Sequence, residues 1–354
     1  MNAIKIKFQS SILALGLLLS CAAQAQHGER NLAKVAPEDV GMSSAGIQAY
    51  VDTMHAEVDN GNIAGVVSRI SRHGKTVLED AYGYLDLENQ VPMTDDAIFR
   101  IKSMTKPVAG VALMILLEEG KFTLDDPVEM HIPQFANLKV AKEDGPNGQP
   151  IVEEQDHKMT VRELMSHSGG LTYGRFSRSQ VDSLYLEADL LNLDSTLEDM
   201  INKLAEIPLR QQPGSRWHYS VSVDVQGYLV EVLSGQKFDD FLQERIFGPL
   251  QMDDTGFYVG RENAARFSRE YSQSADGLTS PENDSYIDPV NFLSGGGGLM
   301  STAGDYLRFA QMLANGGELD GVRILSEDSV KQMHTNQLPP NTPGLESYPG
   351  NVFA

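Results

Sequence analysis

One cysteine, Cys21, stands in a chain of 354 residues, so no disulfide can close within it. The eight histidines show no H-x-H or H-E-x-x-H spacing, so neither a metal nor any other cofactor is expected. No G-x-S-x-G elbow occurs, which argues against the turn on which α/β-hydrolases mount their nucleophile. Basic residues are scarce: 28 Lys and Arg stand against 49 Asp and Glu, for a formal charge of −21. With no Lys/Arg cluster, nucleic acid is excluded as a partner. No apolar run of 18 residues follows the N-terminal segment, so no membrane span is expected. Internal repeats are also lacking. What remains is globular: 41% hydrophobic and 22% charged, long enough for one large domain or two.

Residues 1–25 read as a signal peptide. Lys5 and Lys7 form a positive n-region, Ser11 to Leu19 a short apolar core, and Ala23-Gln24-Ala25 a small-x-small cleavage site. Cleavage there leaves Gln26 first and implies a periplasmic or secreted protein. Leu18-Leu19-Ser20-Cys21 offers a second reading, a lipoprotein signal that would anchor the chain through Cys21. Leu19 is not the small residue usual in such a signal, so cleavage after Ala25 ranks first.

The most informative stretch is Phe99-Arg100-Ile101-Lys102-Ser103-Met104-Thr105-Lys106-Pro107. It precedes an apolar run, Val108 to Leu117, that reads as a helix ending near Gly120. Positions i and i+3 share a helix face, so the Lys106 amine is expected beside the Ser103 hydroxyl. The helix N-terminus adds N–H groups and partial positive charge. A serine hydroxyl needs a neighbour to take its proton before it can attack. About one S-x-x-K is expected by chance in such a chain, and this one has two. The other, Ser234-Gly235-Gln236-Lys237, follows the apolar run Gly227 to Leu233 and reads as a helix end with a glycine turn.

Along the chain, Ser43 or Ser44 caps a helix to about Val58. Ala64 to Ile70 and Thr76 to Tyr84 are strands joined by His73-Gly74. Lys142 to Gln155 is a polar surface excursion. Thr160 to Met165 is a short helix and Leu197 to Ile207 an amphipathic one. Ser222 to Leu233 and Phe238 to Phe247 are helices. Ser301 caps a helix to about Ala314, and Ser326 caps one to about His334. One hairpin beside so many helices suggests a sheet missing its other half.

Six segments in order resemble the serine β-lactamase and penicillin-binding-protein superfamily, in the branch of class C β-lactamases, D-alanyl-D-alanine carboxypeptidases, D-aminopeptidases and β-lactamase-like carboxylesterases. They are residues 100–107, Gly120 to Val128, Arg162-Glu163-Leu164-Met165-Ser166-His167-Ser168-Gly169-Gly170-Leu171, Pro213 to Ser220, Arg245 to Met252, and Gly297 to Thr302. The resemblance implies an α+β fold of the β-lactamase/DD-peptidase type, an antiparallel sheet flanked by helices. Residues 37–130 with 285–354 would form the α/β domain, incomplete at its C-terminal strands, and 131–284 an inserted helical domain. Ser103 matches the acylated nucleophile, Lys106 its lysine partner and Tyr219 the tyrosine of the second motif. Lysine and tyrosine both titrate near 10 unperturbed; a neighbouring ammonium lowers the tyrosine and burial lowers the lysine. Either could be the base.

Two departures from the family pattern matter. Tyr219 is followed by Ser220-Val221 where β-lactamases and carboxypeptidases carry x-Asn, and valine cannot hold a substrate amide. The third motif, Lys-Thr-Gly or His-Thr-Gly, finds no match between Ser220 and Ala354; His334-Thr335-Asn336 lacks the glycine. The expectation is therefore a chain that stops short of that motif and of half its oxyanion hole. The glycines Gly295 to Gly298 read as close backbone packing near the site, His167 as a hydrogen-bonded packing residue, and His218 as structural or solvent-facing. The expected partner is a small-molecule ester, amide or β-lactam, with esters first because of Val221. The alternatives are a β-lactamase, a D-alanyl-D-alanine carboxypeptidase or D-aminopeptidase, and a non-catalytic ligand-binding member or truncated inactive product. Oligomeric state is not readable from the residues.

Overall fold

Six of the eleven α-helices among the described residues start at a side-chain cap, and those caps locate the elements. The structure is a computed structural model that describes residues 32–176, 178–275, 277–280, 285–340 and 342–343. Residues 1–25, read from the sequence as a signal peptide, and with them Cys21, lie outside the described residues. Helix α1 (Ser44–Asp59) begins where the Ser43 side chain accepts the Gly46 N–H, and Glu38 takes the Ser44 N–H and hydroxyl from the preceding turn. Strands β1 (Gly65–Arg72) and β2 (Lys75–Asp86) form an antiparallel hairpin. His73 and Gly74, both with positive φ, give its two-residue turn the handedness a tight hairpin needs. β3 (Val91–Pro92) extends the sheet beyond β2. α1 covers the hairpin: the His55 ring stacks on Tyr82 at 3.8 Å and its Nε2 meets Asp80 at 2.9 Å.

After β4 (Ile98–Arg100) comes α2 (Thr105–Glu118), apolar on every side, as a helix buried in a core must be. Val108, Ala109, Val111, Ala112 and Leu113 are fully buried. α3 (Val128–His131) follows a short turn. The segment expected to be an irregular excursion is a small hairpin, β5 (Val140–Glu143) with β6 (Ile151–Glu153). Val140 is fully in the core and anchors it, while Asn147 and Gly148 at positive φ reverse the chain. Its short polar strands carry too little alternation to announce themselves.

Three capping boxes then set three helices. Thr160 with Glu163 starts α4 (Val161–Met165), Ser179 with Asp182 starts α5 (Gln180–Glu187), and Thr196 with Asp199 starts α6 (Leu197–Leu204). Each box is worth about 1 kcal/mol. α5 was not among the expected helices, although Ser179-x-x-Asp182 was the signal for it. α7 (Ser222–Ser234) ends at Gly235, whose φ of 73° closes it. α8 (Phe238–Leu242) runs through a wide π turn, Gln243–Phe247, into the single turn α9 (Gly248–Leu250).

β7 (Ser272–Ser274) and β8 (Gly277–Thr279) make a surface hairpin. β9 (Met300–Thr302) pairs antiparallel with β4, joining segments 200 residues apart. Ser301 was expected to cap the next helix, α10 (Ala303–Ala314); the cap is Thr302, which accepts the Asp305 N–H, because Ser301 is a buried residue of β9. The hairpin β10 (Glu318–Leu319) with β11 (Val322–Arg323) precedes α11 (Glu327–Met333), capped by Ser326 as expected. One core cluster runs through α2 and α7 to Phe238, Phe241, Phe247 and Phe309. Each such side chain contributes roughly 1.5–3 kcal/mol by leaving water. α10 packs on β1. No helix among the described residues is long and apolar enough to cross a membrane.

Candidate active site

The chain reaches Ser103 through an unusual backbone. β4 pairs Phe99 with Ser301 and Arg100 with Met300, and the Ile101 N–H donates to the Leu299 carbonyl at 3.0 Å. Lys102 then takes φ +47°, a left-handed conformation rare for a residue with a side chain. Its ammonium reaches Glu270 at 2.9 Å. The reversal ends the strand and opens a 3-10 turn, Lys102–Met104, that continues into α2. The first hydrogen bond of that turn is made by the Met104 N–H to the Ile101 carbonyl. The Ser103 N–H precedes it, where helix geometry leaves N–H groups free to meet an anion. Ser103 itself is exposed.

All three residues singled out in the sequence meet. Ser103 Oγ lies 2.7 Å from the Tyr219 hydroxyl, and Lys106 Nζ donates to Ser103 Oγ at 3.1 Å. The lysine also donates to the Gly296 carbonyl at 2.5 Å and stands 4.6 Å from the centroid of the Tyr219 ring. Lys106 sits one turn below Ser103 on α2, as the spacing of three requires. Tyr219 arrives 116 residues later, just ahead of α7, which packs along α2. Carbonyl, phenol and serine thus surround one amine. That arrangement can accept the serine proton and return it.

Aromatic rings frame the pair. His167, Tyr173, Phe176 and Trp217 lie with ring centroids between 5.2 and 6.3 Å from Tyr219. Phe176 and, beside the nucleophile, Met104 are exposed. A cavity of about 380 Å³ is lined by Lys106 and His167 with Met114, Leu124, Met165 and Val223 among its walls.

Both histidines near the site are held below the usual imidazole value, which makes either a weak base. Burial first, then the Lys106 charge, then His218, holds the His167 imidazole down at about 3 against a usual 6.5. Its Nδ1 is 3.1 Å from Ser220 Oγ. Burial, then Arg210, lowers His218 to about 4. Its Nε2 lies 3.2 Å from Thr172 Oγ1, which donates to Asp182 at 2.7 Å. His167 is hydrogen-bonded within the packing, as read from the sequence, and His218, read as structural or solvent-facing, is half-buried on Thr172. A stability consequence follows for His167. The unfolded chain takes its proton near 6.5 and the folded chain only near 3, so its contribution is complete above pH 6.5 and lost as pH falls toward 3. Between pH 7.5 and pH 5 this amounts to about 2 kcal/mol. Denaturant unfolding at the two pH values should show that loss, and His167→Gln should lessen it by about that amount; an unchanged pH slope in the variant would refute the assignment.

The second S-x-x-K ends a helix instead of starting one. Ser234 Oγ donates to the Val230 carbonyl at 2.7 Å at the end of α7, with Gly235 turning the chain away. His334-Thr335-Asn336 follows α11 from its C-cap, and Thr335 Oγ1 donates back to the Lys331 carbonyl at 2.8 Å. Val221 is buried, its N–H donating to the Thr172 carbonyl, so it presents no polar group to a substrate.

Sequence reasoning missed two parts of the site: the Gly296 carbonyl and Asp224. The glycines were read as close packing, and they are. A Cβ on Gly296 would lie 2.5 Å from Asp224 Oδ2 and 2.7 Å from the Tyr173 hydroxyl, and one on Gly295 would strike the Val223 carbonyl. The signal for Asp224 was a lone carboxylate between Val223 and Val225 in the first turn of α7.

The Beta-lactamase family model matches residues 47–350. The chain belongs to this family. Protein Rv1367c of Mycobacterium tuberculosis is 34% identical over 282 residues, which cover 79% of this chain and 69% of the relative. Esterase EstB of Burkholderia gladioli is 29% identical over 309 residues, 81% of this chain and 75% of the esterase. Among solved structures, EstCE1, described as a hydrolase with promiscuous acyltransferase activity, matches with a TM-score of 0.68 at 27% identity, over 82% of this chain and 77% of that one. The fold is the α+β β-lactamase/DD-peptidase fold that the motifs implied, and the family is one of serine hydrolases with esterases among this chain's relatives.

Proposed function

We propose that this chain is an exported serine hydrolase that forms an acyl-enzyme at Ser103 and acts on uncharged esters. The observation that carries the reading is the three-way contact of Ser103 Oγ with the Tyr219 hydroxyl and the Lys106 amine. In the first step the Ser103 oxygen attacks the ester carbonyl while its proton passes to the Lys106–Tyr219 pair. The oxyanion forms near the Ser103 N–H at the head of the helix. When the tetrahedral intermediate collapses, the bond to the alkoxy oxygen breaks and the same pair gives that oxygen the proton, releasing the alcohol. Water then attacks the Ser103 acyl ester and yields a proton to the pair; as the second tetrahedral intermediate collapses, the bond to Ser103 Oγ breaks, the pair returns the proton to that oxygen, and the carboxylic acid and free serine are left. The Gly296 carbonyl holds one N–H of Lys106, which leaves the remaining valences of the nitrogen to face Ser103 and Tyr219.

Ester preference rests on what surrounds the nucleophile. Val221 is buried where an amide-holding side chain would be needed. The exposed rim residues Met104 and Phe176, and the apolar walls of the cavity beside Lys106, suit an uncharged acyl or alkoxy group. Export rests on the Lys5/Lys7 n-region, the Ser11 to Leu19 core and the Ala23-Gln24-Ala25 site.

The test is a panel of p-nitrophenyl butyrate, a D-Ala-D-Ala peptide and a chromogenic cephalosporin, given to the wild-type chain. The ester should turn over with kcat/KM at least about 100-fold above either amide, the discrimination expected when a site offers no partner to the buried amide group. Cephalosporin or peptide turnover above that of the ester would reverse the assignment.

A further inference from the structure

We infer that Asp224 is a positioning residue for Lys106, acting through the Gly296 peptide. This rests on the reading of Ser103 as a nucleophile activated by Lys106. Asp224 lies on the first turn of α7 and is fully buried. Its Oδ1 accepts two hydrogen bonds, from the Ser294 hydroxyl and from the Gly296 N–H at 3.0 Å. The same Gly296 offers its carbonyl to Lys106 Nζ. One glycine therefore receives its position from a carboxylate and hands that position to the amine.

The other oxygen, Oδ2, has no hydrogen-bond partner among the described residues and faces Gly296 beside the Tyr173 hydroxyl. An orphaned carboxylate oxygen in a core is costly. The two hydrogen bonds use only Oδ1, so a purely structural tether does not by itself explain the second oxygen. What a carboxylate can add is charge, and the charge that acts on it is that of Lys106. Burial pushes the Asp224 carboxyl up overall; the Ser294 and Gly296 hydrogen bonds and the Lys106 charge lower it without offsetting the burial. Tyr173, which faces both Asp224 and the lysine, is held in its neutral form by burial first and by Asp224 second. Charge-assisted hydrogen bonds are about twice as strong as neutral ones. The carboxylate thus fixes the Gly296 loop more firmly than a neutral side chain would, and it does so directly behind the amine that must face Ser103.

The readout is the rate at which a fluorophosphonate labels Ser103, which reports nucleophile activation whatever the natural substrate is. Asp224→Asn keeps an acceptor for both donors and removes a buried charge, so its melting temperature should not fall. Its labelling rate should drop about 10- to 100-fold, the scale of a catalytic group displaced by about 1 Å. Ser294→Ala, which removes one of the two donors, should lower the rate in the same direction by less. In a Lys106→Ala background, adding Asp224→Asn should change the rate by no more than about twofold, because its effect runs through the lysine. Wild-type labelling in Asp224→Asn, or the same fold loss with and without Lys106, would overturn the inference while leaving the hydrolase reading intact. Normal wild-type labelling and the expected losses, with no ester turnover, would uphold the inference and sink the ester assignment. A wild-type chain that is not labelled would overturn both.

Discussion

Ser103→Ala should reduce p-nitrophenyl butyrate hydrolysis by about 10⁴- to 10⁶-fold, the loss measured when a nucleophile is removed from an otherwise complete serine site. No neighbour can replace it. The Tyr219 oxygen, 2.7 Å away, belongs to a phenol held among four other rings, and Lys106 Nζ is occupied by the Gly296 carbonyl. The fold should not notice the change. Ser103 is exposed, and its hydroxyl meets the Tyr219 hydroxyl and the Lys106 amine, both of which belong to the site itself. An exposed substitution of this kind stays within about 0.5 kcal/mol, and the melting temperature should move by less than about 2 °C. Loss of activity with a preserved melting temperature supports the nucleophile assignment; activity within tenfold of wild type would refute it.

Lys106→Ala should cost about 10²- to 10⁴-fold in kcat/KM for the same ester, the range of a general acid–base contribution. Lys106→Arg should be no better. Arginine keeps the positive charge but stays protonated, and its planar fork cannot reproduce one nitrogen shared between the Ser103 oxygen and the Gly296 carbonyl. This pair of variants separates two physical roles. If the lysine served only as a fixed positive charge over the Tyr219 face, arginine would restore much of the rate. Arginine activity above about a tenth of wild type would show that proton transfer through Lys106 is not needed. Both variants should still fold, because α2 is held by the apolar residues Val108 to Leu116 and not by the lysine.

The helical half of the fold and the Ser103–Lys106 pair were legible because their signals are local. A cap such as Ser43, a turn such as His73-Gly74 and a spacing of three on a helix need no distant partner to be read. The glycine at Gly235 likewise marked Ser234 as a helix end. What escaped notice depends on long-range pairing. β4 and β9 are three residues each and exist because segments 200 residues apart find each other; neither carries an alternating pattern long enough to stand out. The same pairing made Ser301 a strand residue and moved the cap to Thr302. Tyr219 could be placed only through the family motif, since nothing in its own neighbourhood ties it to Ser103. Asp224 was missed for a related reason. Its role depends on a loop 70 residues downstream, and the glycines of that loop disclosed close packing without naming what they packed against.

The central claim is a covalent acyl-enzyme at Ser103, and intact-protein mass spectrometry after rapid acid quench tests it most directly. With p-nitrophenyl butyrate in excess, the wild-type chain should gain one butyryl mass, mapped by peptide digestion to the segment holding Ser103. The adduct should be absent from Ser103→Ala and should persist longer when water is made limiting. A butyryl adduct on any other residue, Ser234 included, or steady ester turnover with no adduct at any quench time and no loss in Ser103→Ala, would contradict the account.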